Sequence, residues 1–244
     1  MQSSITIRRS EERGFEDFGW TDNWMTFSFA GYTDPDWVHF GPLRVIVENH
    51  IQPHEGFDTH PHRDMEILTY VSSGVLTHED SMANKSEIRS GEMQRITAGK
   101  GIVHSEMNEH DEVEHNIQIW ILPNQASLEP SYQELRFKGE EQRGTLRMYV
   151  SPDGRNGSMR IHQDAYIYAG ILEDGDQFVH RLDEVRGAWI QIVHGSVVIN
   201  GNQELNQGDG AGLTGWDELV ITAEEESELI LFDVAMDFET PYRL

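Results

Sequence analysis

Eight of the twelve histidines in this 244-residue chain fall between His50 and His115. Inside that window two donor pairs share one spacing, His60-Pro61-His62 and His104-Ser105-Glu106. On a strand, residues i and i+2 point to the same face, so each pair sends two donors into one space. If both strands line one interior, three imidazoles and a carboxylate converge there. Such a set suits a first-row divalent ion: imidazole serves iron, nickel, copper or zinc, and the hard oxygen favours six-coordination. Four protein donors on an octahedral ion leave two positions for water, substrate or dioxygen. A lone His-x-His is weak evidence for a metal site; two such pairs, each flanked by turn glycines, are stronger. Glu66 shares strand parity with His60 and His62 and competes with Glu106 as the carboxylate donor. Parity alone leaves both open.

The elements that must position these donors read as strands, because short alternating runs are cut by turn residues. Runs at 65–71, 75–78 and 116–122 are followed in the second half by 148–150, 188–193 and 197–199. Asn200-Gly201 after the last of these is a hairpin signal, since both residues tolerate positive φ. Segment 127–137 is expected as a short helix, with Leu128, Tyr132 and Leu135 on one face. A weak internal repeat relates Tyr70-Val71-Ser72-Ser73-Gly74-Val75 to Ile192-Val193-His194-Gly195-Ser196-Val197, and 88–92 to 205–209. The expected fold is therefore all-β, with two tandem antiparallel β-barrels and few short helices: residues 1–125, a linker at 126–139, and residues 140–244. Counting from the repeat glycines puts the second unit's donor positions near Arg181, Asp183 and Ile221. His180 is one residue out of register and no second donor pair exists, so that unit is expected to bind no metal. His194 reads as a surface turn residue.

The donor pairs and their glycines resemble the two cupin motifs, Gly56…His60-x-His62-x3-Glu66…Gly74 and Gly91-x5-Thr97-x-Gly99…His104-x3-Asn108. The strings His60-Pro61-His62-Arg63-Asp64-Met65-Glu66 and Thr97-Ala98-Gly99-Lys100-Gly101-Ile102-Val103-His104-Ser105-Glu106 resemble, nearly letter for letter, the signatures of pirin and the bacterial pirin-like bicupins. The resemblance implies jelly-roll barrels and one divalent metal held by His60, His62, His104 and Glu106, with Glu66 either beside the site or a strand residue with no catalytic role. Iron(II) is the typical ion; nickel, manganese, copper or zinc are alternatives. It also implies quercetin 2,3-dioxygenase activity, in which dioxygen cleaves the heterocycle of a planar polyphenol and carbon monoxide is released. Glu106 would then double as general base for the flavonol 3-hydroxyl. The same resemblance allows a different class, an iron-dependent, redox-sensing co-regulator of transcription that binds a partner without turnover. A closed structural metal site is disfavoured because those are usually four-coordinate tetrahedra.

Composition narrows the partners. The formal net charge is −25, which disfavours direct nucleic-acid or anionic-membrane binding and points any protein partner towards basic character. With no cysteine, disulfides, thiolate metal sites and cysteine nucleophiles are all excluded. No apolar stretch approaches the ~18 residues of a membrane span, and no signal-peptide core follows the N-terminal arginines, so a cytoplasmic, monomeric protein is expected. Gly99-Lys100-Gly101 lacks phosphate-loop spacing. His110 and His115, set among Glu109, Asp111, Glu112 and Glu114, read as solvated loop histidines.

Overall fold

Two kinds of burial pattern organise the chain. Ile102–Met107 alternates buried and more accessible residues, as a strand with one covered face should. Arg186–His194 is buried along all but its last residue, as a strand covered on both faces should be. The structure, a computed structural model, describes residues 3–137 and 139–242.

Four sheets result. In the first half a seven-stranded sheet runs Ser131–Leu135, Met93–Thr97, Glu66–Ser73, Glu114–Ile121, Leu43–Ile51, Thr21–Met25 and Gly14–Asp17. A four-stranded sheet packs on it in the order Gly56–His62, Ile102–Met107, Val75–Asp80 and Lys85–Arg89. The second half repeats the plan. Its seven-stranded sheet runs Ser4–Arg8, Gly210–Thr214, Arg186–His194, Ser227–Ala235, Ala165–Leu172, Arg147–Ser151 and Met159–Arg160, all antiparallel but for the last pair. Its four-stranded sheet runs Gln177–Arg181, Glu218–Ala223, Ser196–Ile199 and Gln203–Asn206. Among the described residues no ladder joins the two sheets of a half, so each is an open jelly-roll sandwich and not a closed barrel. The all-β bicupin architecture is as expected.

The two seven-stranded sheets face each other. Ile46, Leu68, Tyr70, Ile117 and Ile119 of the first half share one buried cluster with Tyr149, Ile167, Trp189, Ile230 and Phe232 of the second. This seam is crossed by the chain's own strands: Ser4–Arg8 pairs with Gly210–Thr214 in the second half's sheet. The helix expected at 127–137 does not form. Ser131–Leu135 is instead an edge strand on Met93–Thr97, with Tyr132 opposite Ile96. Backbone pairing with a distant strand outweighs a weak local periodicity. Among the described residues the only helical segments are three single 3₁₀ turns, and no helix is long and apolar enough to cross a membrane.

The repeat glycines occupy equivalent tight turns. Gly74 and Gly195 have φ of +79° and +78°. A Cβ on Gly195 would stand 2.4 Å from the Glu226 carbonyl oxygen, so a side chain there is excluded by both space and backbone conformation.

Candidate metal centre

His60 and His62 occupy the end of Gly56–His62, and His104 lies directly across from His60 in the antiparallel register. The three rings stand 4.4–4.9 Å apart between centroids, and one nitrogen of each lies within 4.8 Å of the others. His62 Nε2 and both ring nitrogens of His104 are buried with no hydrogen-bond partner among the described residues. An unpartnered buried polar atom costs roughly 1–3 kcal/mol, so several turned towards one another need a common partner. A cation that accepts their lone pairs is such a partner, and the donor set fits it. His60 Nδ1 lies 2.7 Å from the Asp58 carbonyl oxygen; donating there, it leaves the Nε2 lone pair for a ligand. Burial, reinforced by His104 and His60, pushes His62 down to about 4 against the pull of Glu106. Burial likewise lowers His104 against Glu106, with His60 and His78 adding to the shift. Neutral imidazoles at physiological pH are the form that binds metal.

Glu106 stands deeper. The ladder to Gly56–His62 is irregular between His104 and Glu106, which re-aims the second donor. Its carboxylate groups with His104 and His78, not with His60 and His62. Three side chains hold it: Thr69 Oγ1 and Gln94 Nε2 donate to Oε1 at 3.0 and 2.5 Å, and Gln118 Nε2 donates to Oε2 at 2.8 Å. A carboxylate accepts about four hydrogen bonds, so this cradle leaves one position free. Tyr132, from the strand that replaced the expected helix, stacks on His78 at 4.6 Å, and its hydroxyl lies 3.2 Å from Gln94 Oε1.

Glu66 belongs elsewhere. Asp64 has φ of +51°, so the chain turns between His62 and Glu66 and strand parity does not carry across. Glu66 faces the seam with Leu68 and Tyr70, accepts from Thr97 Oγ1 at 2.9 Å, and lies 2.9 Å from His162 Nδ1 of the second half. Beside His60 and His62 a cavity of about 250 Å³ opens between the sheets, walled by Phe18, Phe29, Phe57 and Trp120 and touched by Gln118 and Glu16.

Residues 6–121 match the Pirin family, and residues 148–234 match a family described as the quercetinase C-terminal cupin domain. A protein named quercetin 2,3-dioxygenase from Escherichia coli strain K12 is 44% identical over 233 residues, covering 94% of this chain and 98% of that one. The chain belongs to the pirin family. The crystal structure of YhhW from Escherichia coli aligns with a TM-score of 0.90 at 43% identity, over 95% of this chain and 97% of that one. A second structure, of bacterial pirin YhhW in complex with nickel(II), aligns at 0.88 and 42% identity, over 95% and 99%.

The second half of the chain keeps the sheets without the donors. Gln177–Arg181 pairs with Glu218–Ala223 where the first half pairs Gly56–His62 with Ile102–Met107. Ile221, one expected donor position, is fully buried in an apolar cluster with Leu219, Val197 and Leu205. Arg181 and Asp183 are exposed. His180 Nε2 lies 2.8 Å from Asp233 Oδ2, in a network with Arg186 and Asp164. Among the described residues no group of three metal donors forms in this half. His194 is exposed, as expected.

His115 departs from expectation. It is a strand residue, 13% exposed, 3.0 Å from Glu48 Oε1. His110 sits in the loop as expected, 3.6 Å from Glu87. The cradle of Thr69, Gln94 and Gln118, and His78 beside Glu106, are not singled out by the sequence. The cradle's signal is there in Gln118, a polar residue alternating with Ile117, Ile119 and Ile121, which places it on the opposite face from the seam.

Proposed function

We propose that this protein is a metal-dependent dioxygenase that cleaves flavonols such as quercetin at a centre held by His60, His62 and His104, with Glu106 as the carboxylate of the site. The observation that carries the reading is the convergence of partnerless, buried imidazole nitrogens beside an aromatic-walled cavity. The name of the Escherichia coli relative supports the reaction, and the nickel(II) complex of YhhW supports a divalent transition ion. Iron(II) is the ion we propose for this chain. Held there, such an ion would lower the pKa of a bound hydroxyl and bring substrate and dioxygen together.

The remaining work falls to the chain. Trp120, edge-on to His62 at 5.1 Å, and Phe57 form flat apolar walls suited to a planar polyphenol next to the imidazoles. The cavity is at or below the low end of the roughly 300–1,000 Å³ range of small-molecule sites, so it seats one such ligand with part of it at the mouth. Glu106, 1% exposed, is kept from water. Thr69, Gln94 and Gln118 fix its orientation, so that its free lone pair can take the 3-hydroxyl proton. Gln118 reaches both the cavity and Glu106 and so couples substrate position to base position.

Metal analysis combined with flavonol absorbance, followed anaerobically and in air, tests the reading. Oxygen-dependent bleaching that is lost in His60→Ala and in Glu106→Gln is expected. Full metal occupancy with no loss of any flavonol would sink it.

A further inference from the structure

The first half carries a second donor set on the opposite face of its seven-stranded sheet. Glu48 and His50 are i, i+2 neighbours on Leu43–Ile51, and His115 lies directly across from His50 in the ladder. His60, His62 and His104 have the same plan, an i, i+2 pair with a third donor opposite one member. Glu48 Oε1 stands 3.0 Å from His115 Nε2 and 3.8 Å from His50 Nε2, and the two rings are 4.3 Å apart between centroids. Donors bound 2.0–2.1 Å from a tetrahedral ion stand roughly 3.3–3.4 Å from each other, between the two observed separations.

We propose that Glu48, His50 and His115 bind a second divalent transition-metal ion, of the zinc type. Two imidazoles and one carboxylate select zinc, nickel or copper over magnesium or calcium, which prefer all-oxygen sites. The carboxylate is oriented for the task. Arg13 Nη1 donates to Oε2 at 2.7 Å, which turns Oε1 towards both imidazoles. His50 is 31% exposed on its side chain, which gives an ion a route from solvent and a water for the fourth position. Arg13 offsets the charge of Glu48, so the remaining negative charge comes from Asp22, across from His50. That balance makes the site weaker than the three-imidazole centre. Its place at the seam assigns it a stabilising role, because an ion held only by the folded chain shifts the unfolding equilibrium.

The test uses the full-length, tag-free protein with the first centre disabled by His60→Ala, His62→Ala and His104→Ala, the last because His104 is also shared with His78 and Glu106. Equilibrium dialysis against zinc chloride, with metal quantified per protein, is expected to show about one retained equivalent. Adding His50→Gln or His115→Gln should weaken that retention by roughly tenfold or more. Circular dichroism checks the fold; should the buried His115 variant fail to fold, the more exposed His50 variant decides. Zinc should raise the melting temperature of the disabled protein and leave that of its His50→Gln derivative unchanged. No retained zinc, or retention indifferent to the His50 change, overturns the proposal.

Discussion

In the first half the four-stranded sheet turns His60 and His62, with His104 grouped beside them, towards a cavity, while in the second the corresponding strands turn Leu219 and Ile221 into a closed apolar cluster. Each half has a seven-stranded and a four-stranded sheet, and the halves differ in strand order only at the edges of the larger sheet. Closely similar architecture thus serves two ends, set by which side chains occupy two facing strands. Buried imidazoles without partners destabilise the apo fold, whereas buried leucine and isoleucine contribute roughly 1.5–3 kcal/mol each. Keeping a polar interior thus costs the first half stability that the filled apolar core of the second half retains.

Substitutions in the corresponding strands test that division. The largest contrast is expected between His62→Ala and His180→Ala. The first should cut metal content below about a tenth of wild type and abolish flavonol turnover, while the second leaves metal content unchanged. Equal metal loss in both would erase the distinction between the halves. Next, Ile221→Ala should cost about 2–5 kcal/mol in denaturant titrations with metal content retained, because it opens a cavity in a filled core. A negligible cost would show that the apolar core of the second half does not carry that stability.

The seam gives a pH-dependent version of the comparison. Burial alone would raise the Glu48 carboxyl, but the His115 hydrogen bond and the Arg13 charge overcome it and hold it down to about 2, against an ordinary 4.5. The folded state then keeps its charge where the unfolded chain takes up a proton. The resulting stabilisation, on the order of 3 kcal/mol, is complete above about pH 4.5 and fades as pH falls towards 2. The stability difference between wild type and Glu48→Gln should shrink over that window and be flat above it. A difference that instead shrinks between pH 5 and 8 would assign the effect to histidine. The smallest expected effect is that of Gln118→Ala, which frees one oxygen of Glu106 and should lower metal affinity by about 10–100-fold with little change in stability. Unchanged affinity would mean that the cradle does not orient the carboxylate.

Much of the site was legible because strand periodicity is local. His60-x-His62 and His104-x-Glu106 announce donors sharing a face, and Gly74 and Gly195 announce matching turns. What failed was long-range. Tyr132 and Leu135 look helical in isolation, yet their strand is fixed by Met93–Thr97, about forty residues upstream. Glu66 keeps its parity with His62 only on paper, because the turn at Asp64 resets it. His115 has acidic loop neighbours in sequence, but its ring is placed by the ladder to Leu43–Ile51. Nor does anything near Ser4–Arg8 announce that this strand crosses to the second half's sheet.

The central claim is that the imidazoles of the first half hold a catalytic ion. Its most direct test is flavonol turnover as a function of metal loading. Apo protein reconstituted with graded iron(II) or nickel(II) would be supplied with quercetin in air, and quercetin loss and carbon monoxide release measured together. The expected result is one carbon monoxide per quercetin consumed, at a rate proportional to loading and absent in His62→Ala. Quercetin loss without carbon monoxide, or at a rate indifferent to metal or to His62, would contradict the account.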